Sequence, residues 1–162
     1  ASCHDSDLTL EAALAVLNET DVRRLMRRWG APNELRDAIL WTGKHLNDWH
    51  EAADWPLARF KRLVSHWQFN RLCLLWLGEE QAARDGDECH QRIRDRLNGL
   101  DPLQIAPVPL VSGADLLTLG LTEGPQLGLV LNQLYDAQLN EELSDREAAL
   151  ERARELIGQP TA

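Results

Sequence analysis

The sequence is short of the features that mark membrane, secreted and disulfide-rich proteins. No apolar run approaches the ~20 residues of a membrane-spanning helix, and the amino terminus does not resemble a charged-then-apolar signal peptide. The three cysteines, Cys3, Cys73 and Cys89, form no Cys-x-x-Cys pair, and their odd number argues against a disulfide framework. We therefore expect reduced thiols, no membrane partner and a cytoplasmic location.

Histidine is also too sparsely placed to suggest a metal site. His45 and His50 are five residues apart, which puts them on different sides of a helix, and neither has a carboxylate at the spacing of a zinc-protease motif. The two Cys-His dipeptides are far apart in the sequence and could meet only through tertiary folding. The sequence therefore predicts no metal ligands and no catalytic residues.

Basic residues are also fewer than acidic ones. The chain has 17 Lys and Arg against 26 Asp and Glu, a net charge of -9, which is the wrong sign for binding nucleic acid over the whole surface. The imbalance is concentrated after residue 100, where the chain has 3 basic and 10 acidic residues. Two basic clusters lie before residue 100, namely Arg23, Arg24, Arg27 and Arg28, and then Arg59, Lys61 and Arg62. Each is either a solvated helix face with ion pairs or a phosphate contact. In the first cluster, the partners in such ion pairs would be Glu19 or Asp21.

What the sequence does contain is helix-forming residues. Leucine, alanine, arginine and glutamate dominate, and alternating runs of valine, isoleucine and threonine are missing, so no strands are expected. The fold class is all-α, a multi-helix bundle of roughly seven to eight helices. Pro102, Pro107 and Pro109 favour an extended connector, which divides a helical subdomain over 1–100 from a second one over 101–162.

Capping signals place the individual helices. Ser112 with Asp115 and Ser144 with Glu147 have the spacing of capping boxes. The other predicted helices are one from about Leu8 to Asn18, one capped by Asp21 and ended by Gly30, one capped by Asn33 and running to about Ala53, one opened by Asp54-Trp55-Pro56, one over Leu72 to Ala83, and one over Asp87 to Asn98.

The most specific segment is GADLLTLGLTEGPQLGLVLNQL, from Gly113 to Leu134. It predicts a short helix that breaks at Gly120 and a second helix opened by Gly124 and Pro125. Leu127, Val130, Leu131 and Leu134 share the inward face of the second helix. The loop therefore points a helix N-terminus outward, and the unpaired N–H groups there favour a phosphate.

The pattern G-x-D-L-x-x-L-G-x-x-x-G-P-x-x-G-x-x-L in this segment resembles the C-terminal region of bacterial tRNA nucleotidyltransferases and poly(A) polymerases. The resemblance extends backwards through KRLVSHWQFNRLCLLWLGEEQAARDGD and forwards through SDREAALERARELI, and so covers about residues 55 to 157. It implies the helical body and tail of such an enzyme. The glycine-proline block fits either of two interpretations: a backbone contact to RNA, or a helix C-cap with a tight turn that packs two helices together.

The resemblance does not bring an active site with it. Enzymes of that family have a catalytic head with paired metal-binding aspartates and a neck that selects the nucleotide, and this chain contains neither motif. Because phosphoryl transfer needs carboxylates that hold metal ions, the chain alone is not expected to be an enzyme. Mg²⁺ and CTP or ATP would belong to the missing head. Ala1 in place of a starting methionine fits a piece of a longer polypeptide.

The resulting hypothesis is an RNA-binding C-terminal region that positions tRNA for CCA addition. Structured RNA, tRNA above all, is the expected partner, DNA is not, and self-association is left open. The predicted contacts are Gly120, Thr122, Gly124 and Gly128 through the backbone, and Arg23, Arg27, Arg59 and Arg62 as phosphate clamps. The alternative is a helical protein-interaction module without RNA binding. The six tryptophans are expected mainly in the core, without an exposed stacking surface.

Overall fold

The protein is all-α over the residues that the structure, a computed structural model, describes, namely 13–84 and 86–158. Its helices are α1 (Glu19–Trp29), α2 (Asn33–His45), α3 (Leu57–Val64), α4 (Phe69–Arg84), α5 (Glu88–Asn98), α6 (Pro102–Ile105), α7 (Gly113–Thr118), α8 (Pro125–Leu139) and α9 (Arg146–Gly158). Short 3₁₀ turns at Asp48–His50 and Ala52–Asp54 follow α2. None of the helices within the described ranges is both long and apolar enough to cross a bilayer.

The helices form two compact units, and the chain passes between them more than once. In the described part of the chain, residues 13–54 and 66–99 form the first unit, whereas 55–65 and 100–158 form the second. The sequence-based division at residue 100 therefore misplaces helix α3, which belongs with the C-terminal helices. The reason is tertiary contact, because α3 packs on α8 rather than on its neighbours in sequence.

Polar contacts to the end of α8 fix helix α3 in the second unit. The backbone N–H of Ala58 donates to Asn140 Oδ1 at 2.8 Å, and the Arg62 guanidinium pairs with Asp136 at 2.6 Å. The N-cap residue of α3 is Pro56, whose side chain cannot accept a hydrogen bond. The Asp54 cap predicted from sequence is thus wrong, and a residue distant in sequence, Asn140, accepts the hydrogen bond from the Ala58 N–H instead.

Lys61 is the one lysine of the described residues that the structure buries completely. Its Nζ donates to Glu141 Oε1 at 2.9 Å. Glu141 has a left-handed φ of 65° at the turn that ends α8, and its N–H donates to the Gln138 carbonyl at 3.0 Å. A left-handed backbone costs energy in any residue with a Cβ, so the ion pair offsets strain in a turn where glycine is the usual residue.

The core of the second unit lies between α7, α8 and α9. Its buried residues are Val111, Leu116, Leu121, Val130, Leu134, Ala149 and Ala153. Val130 and Leu134 are on the inward face of α8, with Leu127 and Leu131 packed against the same cluster, so the face predicted from the leucine spacing is confirmed.

The proline-rich connector is held against this core by side chains of α8. Gln138 donates from Nε2 to the Val108 carbonyl at 2.9 Å and accepts from the Leu110 N–H at 3.0 Å. One part of the connector differs from the prediction, since Pro102 does not exclude a helix but occupies the first turn of α6. The first turn of a helix has no acceptor for its N–H groups, so no hydrogen bond is lost where proline lacks one. Asp101 caps the helix.

Several predicted caps prove to be one to three residues away from the real ones. Asn18, not Asp21, caps α1, whereas the Schellman-type end at Gly30 is as predicted. Helix α2 follows Pro32 and ends at His45, short of Ala53, and α9 is capped by Asp145 instead of Ser144. The Ser112 capping box is confirmed. Of the helix predicted from Leu8 to Asn18, residues 8–12 lie outside the described part of the chain, 13–15 are helical, and 16–18 form the turn before α1.

Helix α5 starts at a buried carboxylate from α4. The Glu80 side chain accepts hydrogen bonds from the Cys89 N–H at 2.7 Å and the His90 N–H at 2.9 Å, while Asp87 at the N-cap position makes no such bond. Burial pushes the pKa of the Glu80 carboxyl upward, but these backbone hydrogen bonds outweigh it and hold the pKa below its ordinary value. Glu80 is therefore ionised at neutral pH.

Replacement of Glu80 tests this cap. Because the folded-state pKa lies below the unfolded-state value, the carboxylate stabilises the fold above the unfolded-state pKa, and this contribution disappears as pH falls through the folded-state pKa. We expect Glu80→Gln to lower the free energy of unfolding at pH 7 by about 1–2 kcal/mol. The difference from wild type should shrink under acid conditions, as measured by urea unfolding between pH 7 and pH 3. Glu79→Gln, at an exposed position next to it, is the matched control; an equal loss there would contradict the capping role.

Candidate functional site

The loop between α7 and α8, residues 120–124, projects from the second unit into solvent. Gly120 has a φ of 97°, and its N–H donates to the Leu117 carbonyl at 3.0 Å. The Leu121 N–H donates to the Leu116 carbonyl at 3.1 Å, and both leucine side chains are buried. This is a Schellman motif, in which two hydrogen bonds and an apolar contact end a helix. It anchors one side of the loop and leaves the other side exposed.

Gly124 and Pro125 start helix α8 as predicted. Gly124 is the N-cap with a φ of 152°, and Pro125 occupies the first helical turn. The N–H of Leu127 donates to the Gly124 carbonyl at 3.2 Å. Gln126 lies in the first turn, where the helix itself offers no acceptor to its N–H. Residues 122–126 are exposed, so the N-terminus of a fifteen-residue helix is accessible to a ligand.

The glycines here face open space. A Cβ built at Gly120, Gly124 or Gly128 would meet no atom within 4 Å. Gly120 and Gly124 need glycine for their backbone conformation, but Gly128 lies inside α8 without a positive φ. Neither its conformation nor its packing therefore requires glycine, although glycine costs a helix about 1 kcal/mol relative to alanine. Space at this position is available to an approaching molecule.

Charge around the loop does not favour an anion by itself. Thr122 is exposed and adds a hydroxyl, but Glu123 next to it is also exposed and negative. At the start of α7, the hydrogen bonds from Ser112 and the Arg146 guanidinium hold the pKa of the Asp115 carboxyl below its usual range. Any phosphate contact at this loop would depend on backbone N–H groups, as the sequence predicts.

The two predicted arginine clamps of α3 lie in the same unit but do not reach the loop. Arg62 pairs with Asp136, twelve residues beyond Gly124 and so about 18 Å along the helix axis at 1.5 Å per residue. The guanidinium also lies 5.0 Å from the centre of the Tyr135 ring. Arg59 stacks on the Trp55 ring at 3.3 Å from its centre and is exposed. These side chains form a separate basic site from the glycine loop.

The other two predicted clamps are in the first unit, on an exposed face of α1. Arg23 pairs with Glu19 at 2.6 Å, and Arg24 pairs with Asp21 at 3.0 Å. The ion pairs expected for a solvated helix face are thus present. Arg27 donates from Nε to the Arg23 carbonyl at 3.3 Å and is itself exposed. Exposed ion pairs contribute little to stability, so these cations can exchange partners.

The tryptophans follow only in part the prediction that they lie mainly in the core. Trp49, Trp55 and Trp76 belong to the core, but Trp29 is 55% exposed and Trp67 is 65% exposed. Trp29 comes at the last position of α1, and Trp67 lies in the turn before α4, so neither has a helix face to bury it. Helical periodicity cannot place side chains at such end positions.

The cysteine and histidine side chains make no metal-binding group in the described part of the chain. Neither Cys73 nor Cys89 is in a disulfide, and Cys3 lies outside the described residues. Burial raises the pKa of the Cys73 thiol to about 11, against a smaller opposing effect from Arg94. Cys73 is therefore protonated and unreactive at neutral pH.

No protein-family model, curated protein or solved structure matches this chain.

Sequence reasoning missed some side chains near the predicted contacts. Lys44 and Trp41 on α2 line a cavity together with Arg23. Their spacing of three residues, which puts Trp41 and Lys44 on one helix face, was a signal that could have identified them.

Proposed function

We propose that this chain is the RNA-binding C-terminal body and tail of a tRNA nucleotidyltransferase or poly(A) polymerase-like enzyme. It would hold tRNA while a separate catalytic head adds nucleotides to the 3′ end, as in CCA addition. The observation that carries the proposal is the exposed N-terminus of α8, where three glycines face open space and backbone N–H groups are accessible. The proposal also rests on the resemblance of the Gly113 to Gly128 pattern to that family.

The proposed contact uses the backbone because the side chains are unsuitable. The partial positive charge at a helix N-terminus and its free N–H groups attract phosphate without lysine or arginine. A rigid helical surface that touches sugar and phosphate suits double-stranded RNA, which proteins read largely by shape. Thr122 adds a hydroxyl, and Gly128 leaves room for the strand to approach the helix. No nucleotide, Mg²⁺ or catalytic group is assigned to this chain, since these would belong to the head.

A protein-interaction module is the second candidate function. It is favoured by the net charge of -9 and by the pairing of Arg23, Arg24 and Arg62 with carboxylates of the chain itself. The two candidates differ in salt dependence. Binding through phosphates releases counterions, so the affinity for a tRNA minihelix should fall steeply between 50 and 200 mM salt. Absence of minihelix binding even at the lower salt concentration would favour the interaction module.

The glycine loop can be tested without harming the fold. We expect Gly128→Leu to lower the affinity for a tRNA minihelix at least tenfold, a change of about 1.4 kcal/mol, because the side chain fills the space left for the RNA. Leucine favours helix more than glycine does, so the melting temperature should not fall. Filter binding or fluorescence anisotropy measures the affinity.

Gly78→Leu is the matched control. Gly78 also lies inside a long helix, α4, and a Cβ there would meet no atom within 4 Å. The substitution should therefore have the same effect on the helix and no effect on RNA binding. Equal affinities for the two variants would contradict the assignment of the loop between α7 and α8.

A further inference from the structure

A cavity of about 430 Å³ lies in the first unit, between the segment before α1, the start of α1 and helix α2. The two sides approach closely, because a Cβ at Gly43 would lie only 2.6 Å from the Ala15 carbonyl oxygen. Its walls combine apolar side chains with two cations and one carboxylate, among them Trp41, Lys44, Arg23 and the Glu19 that pairs with Arg23. A cavity of this volume is within the usual range for small-molecule sites. We call it the α1–α2 cavity.

Aromatic rings support one wall of the α1–α2 cavity. The Trp41 indole stacks on the His66 ring with 3.9 Å between centres and 8° between planes. His66 in turn lies 5.9 Å from the exposed Trp67 ring. The Gln68 N–H donates to His66 Nδ1. Burial, and to a smaller extent the nearby His45, lower the pKa of His66. His66 is therefore neutral at pH 7, and the stack holds the indole of Trp41 in one orientation.

Cations line the same cavity. Lys44 is exposed and follows Trp41 by three residues, so the two share a helix face. No carboxylate within the described ranges pairs with Lys44. Arg23 pairs with Glu19, but both side chains are about half exposed or more, at 46% and 66%. Such a pair is weak, so a phosphate can compete for the guanidinium.

We propose that the α1–α2 cavity binds one unpaired nucleotide of an RNA, with the base against Trp41 and the phosphate between Lys44 and Arg23. A planar base and a single phosphate match an aromatic wall flanked by two cations, since each base stacked on an aromatic side chain contributes about 1–3 kcal/mol. The site rests on the proposed RNA-binding function and adds a single-stranded contact to it. It lies in the first unit, whereas the glycine loop lies in the second.

The test uses a fluorescently labelled pentaadenylate and a blunt RNA minihelix as separate probes of the 162-residue chain. Lys44→Glu should lower the affinity for pentaadenylate at least tenfold. Arg154→Glu reverses an equally exposed charge on α9 that does not line the cavity, and it should therefore leave this affinity unchanged. Anisotropy titrations at 150 mM salt measure both.

The aromatic contribution is tested at Trp41. Trp41→Leu should weaken pentaadenylate binding by about 5- to 150-fold, which corresponds to the stacking free energy of one base, and Trp41→Phe should restore most of it. Circular dichroism melting shows whether Trp41→Leu is folded; Lys44→Glu decides the question if it is not.

Two results would overturn the site. One is a wild-type chain that binds the minihelix but not pentaadenylate, which leaves the proposed function intact. The other is an equal loss of pentaadenylate binding in Lys44→Glu and Arg154→Glu, which indicates diffuse charge attraction. Failure of the proposed function is distinguishable, because there the blunt minihelix does not bind.

Discussion

Replacement of Leu116 by alanine is expected to lower the free energy of unfolding of the second unit by about 2–5 kcal/mol. Leu116 is 0% exposed and lies in the cluster between α7, α8 and α9. Its carbonyl also accepts the Leu121 N–H that closes the turn at Gly120. Truncation leaves a cavity under the loop, so the variant should also lose minihelix affinity as the population of ordered loop falls.

Leu103→Ala is the control for this substitution. Leu103 is 80% exposed on helix α6, so the same chemical change should alter the stability by no more than about 0.5 kcal/mol. Urea unfolding monitored by circular dichroism gives both values. A loss below 1 kcal/mol for Leu116→Ala would show that this cluster does not form the core of the second unit.

The second large effect is expected for Glu141→Ala. The substitution leaves the Lys61 ammonium buried without its partner, which costs about 2–3 kcal/mol. This is less than the cost for a fully buried pair, because the Glu141 side chain is 59% exposed and water can reach the site. Alanine and glutamate both carry a Cβ, so the left-handed strain at position 141 is the same in both proteins.

The double variant separates the charge from the packing. In Lys61→Met with Glu141→Ala no buried charge remains, and most of the lost stability should return. The comparison pair is Arg152 and Glu155, which has a similar distance of 2.7 Å but is half exposed on both sides. Glu155→Ala should cost less than about 1 kcal/mol. If Glu141→Ala is no worse than Glu155→Ala, Lys61 is not stabilised by this contact.

Local signals predicted the helices where all the determinants lie within a few residues. The Ser112 capping box, the break at Gly120 and the Pro125 start depend on hydrogen bonds and φ angles set by the segment itself, and the structure has them where the sequence predicts them. The inward face of α8 follows from its leucine spacing for the same reason. The presence and type of these helices could therefore be predicted from the sequence without knowledge of the tertiary contacts.

The features that the sequence could not predict depend on partners distant along the chain. Asn140 caps a helix that starts 83 residues earlier, at Leu57, and the carboxylate of Glu80 replaces the expected Asp87 cap. The candidate loop was located by its glycines. The distance between this loop and Arg62 depends on how the helices pack. The same is true of the position of Arg23 beside Trp41 and Lys44, so no local sequence pattern predicts either arrangement.

The placement of α3 in the second unit has a consequence for biosynthesis. At about 5–20 residues per second, roughly 4 to 15 seconds separate the synthesis of Val64 from that of Asn140. During that interval, helix α3, whose Phe60 and Leu63 are buried in the finished fold, lacks the helix α8 on which it packs there. A ribosome stalled before α8 should therefore carry a nascent chain in which α3 is accessible to chaperones, and release from them should coincide with the emergence of α8.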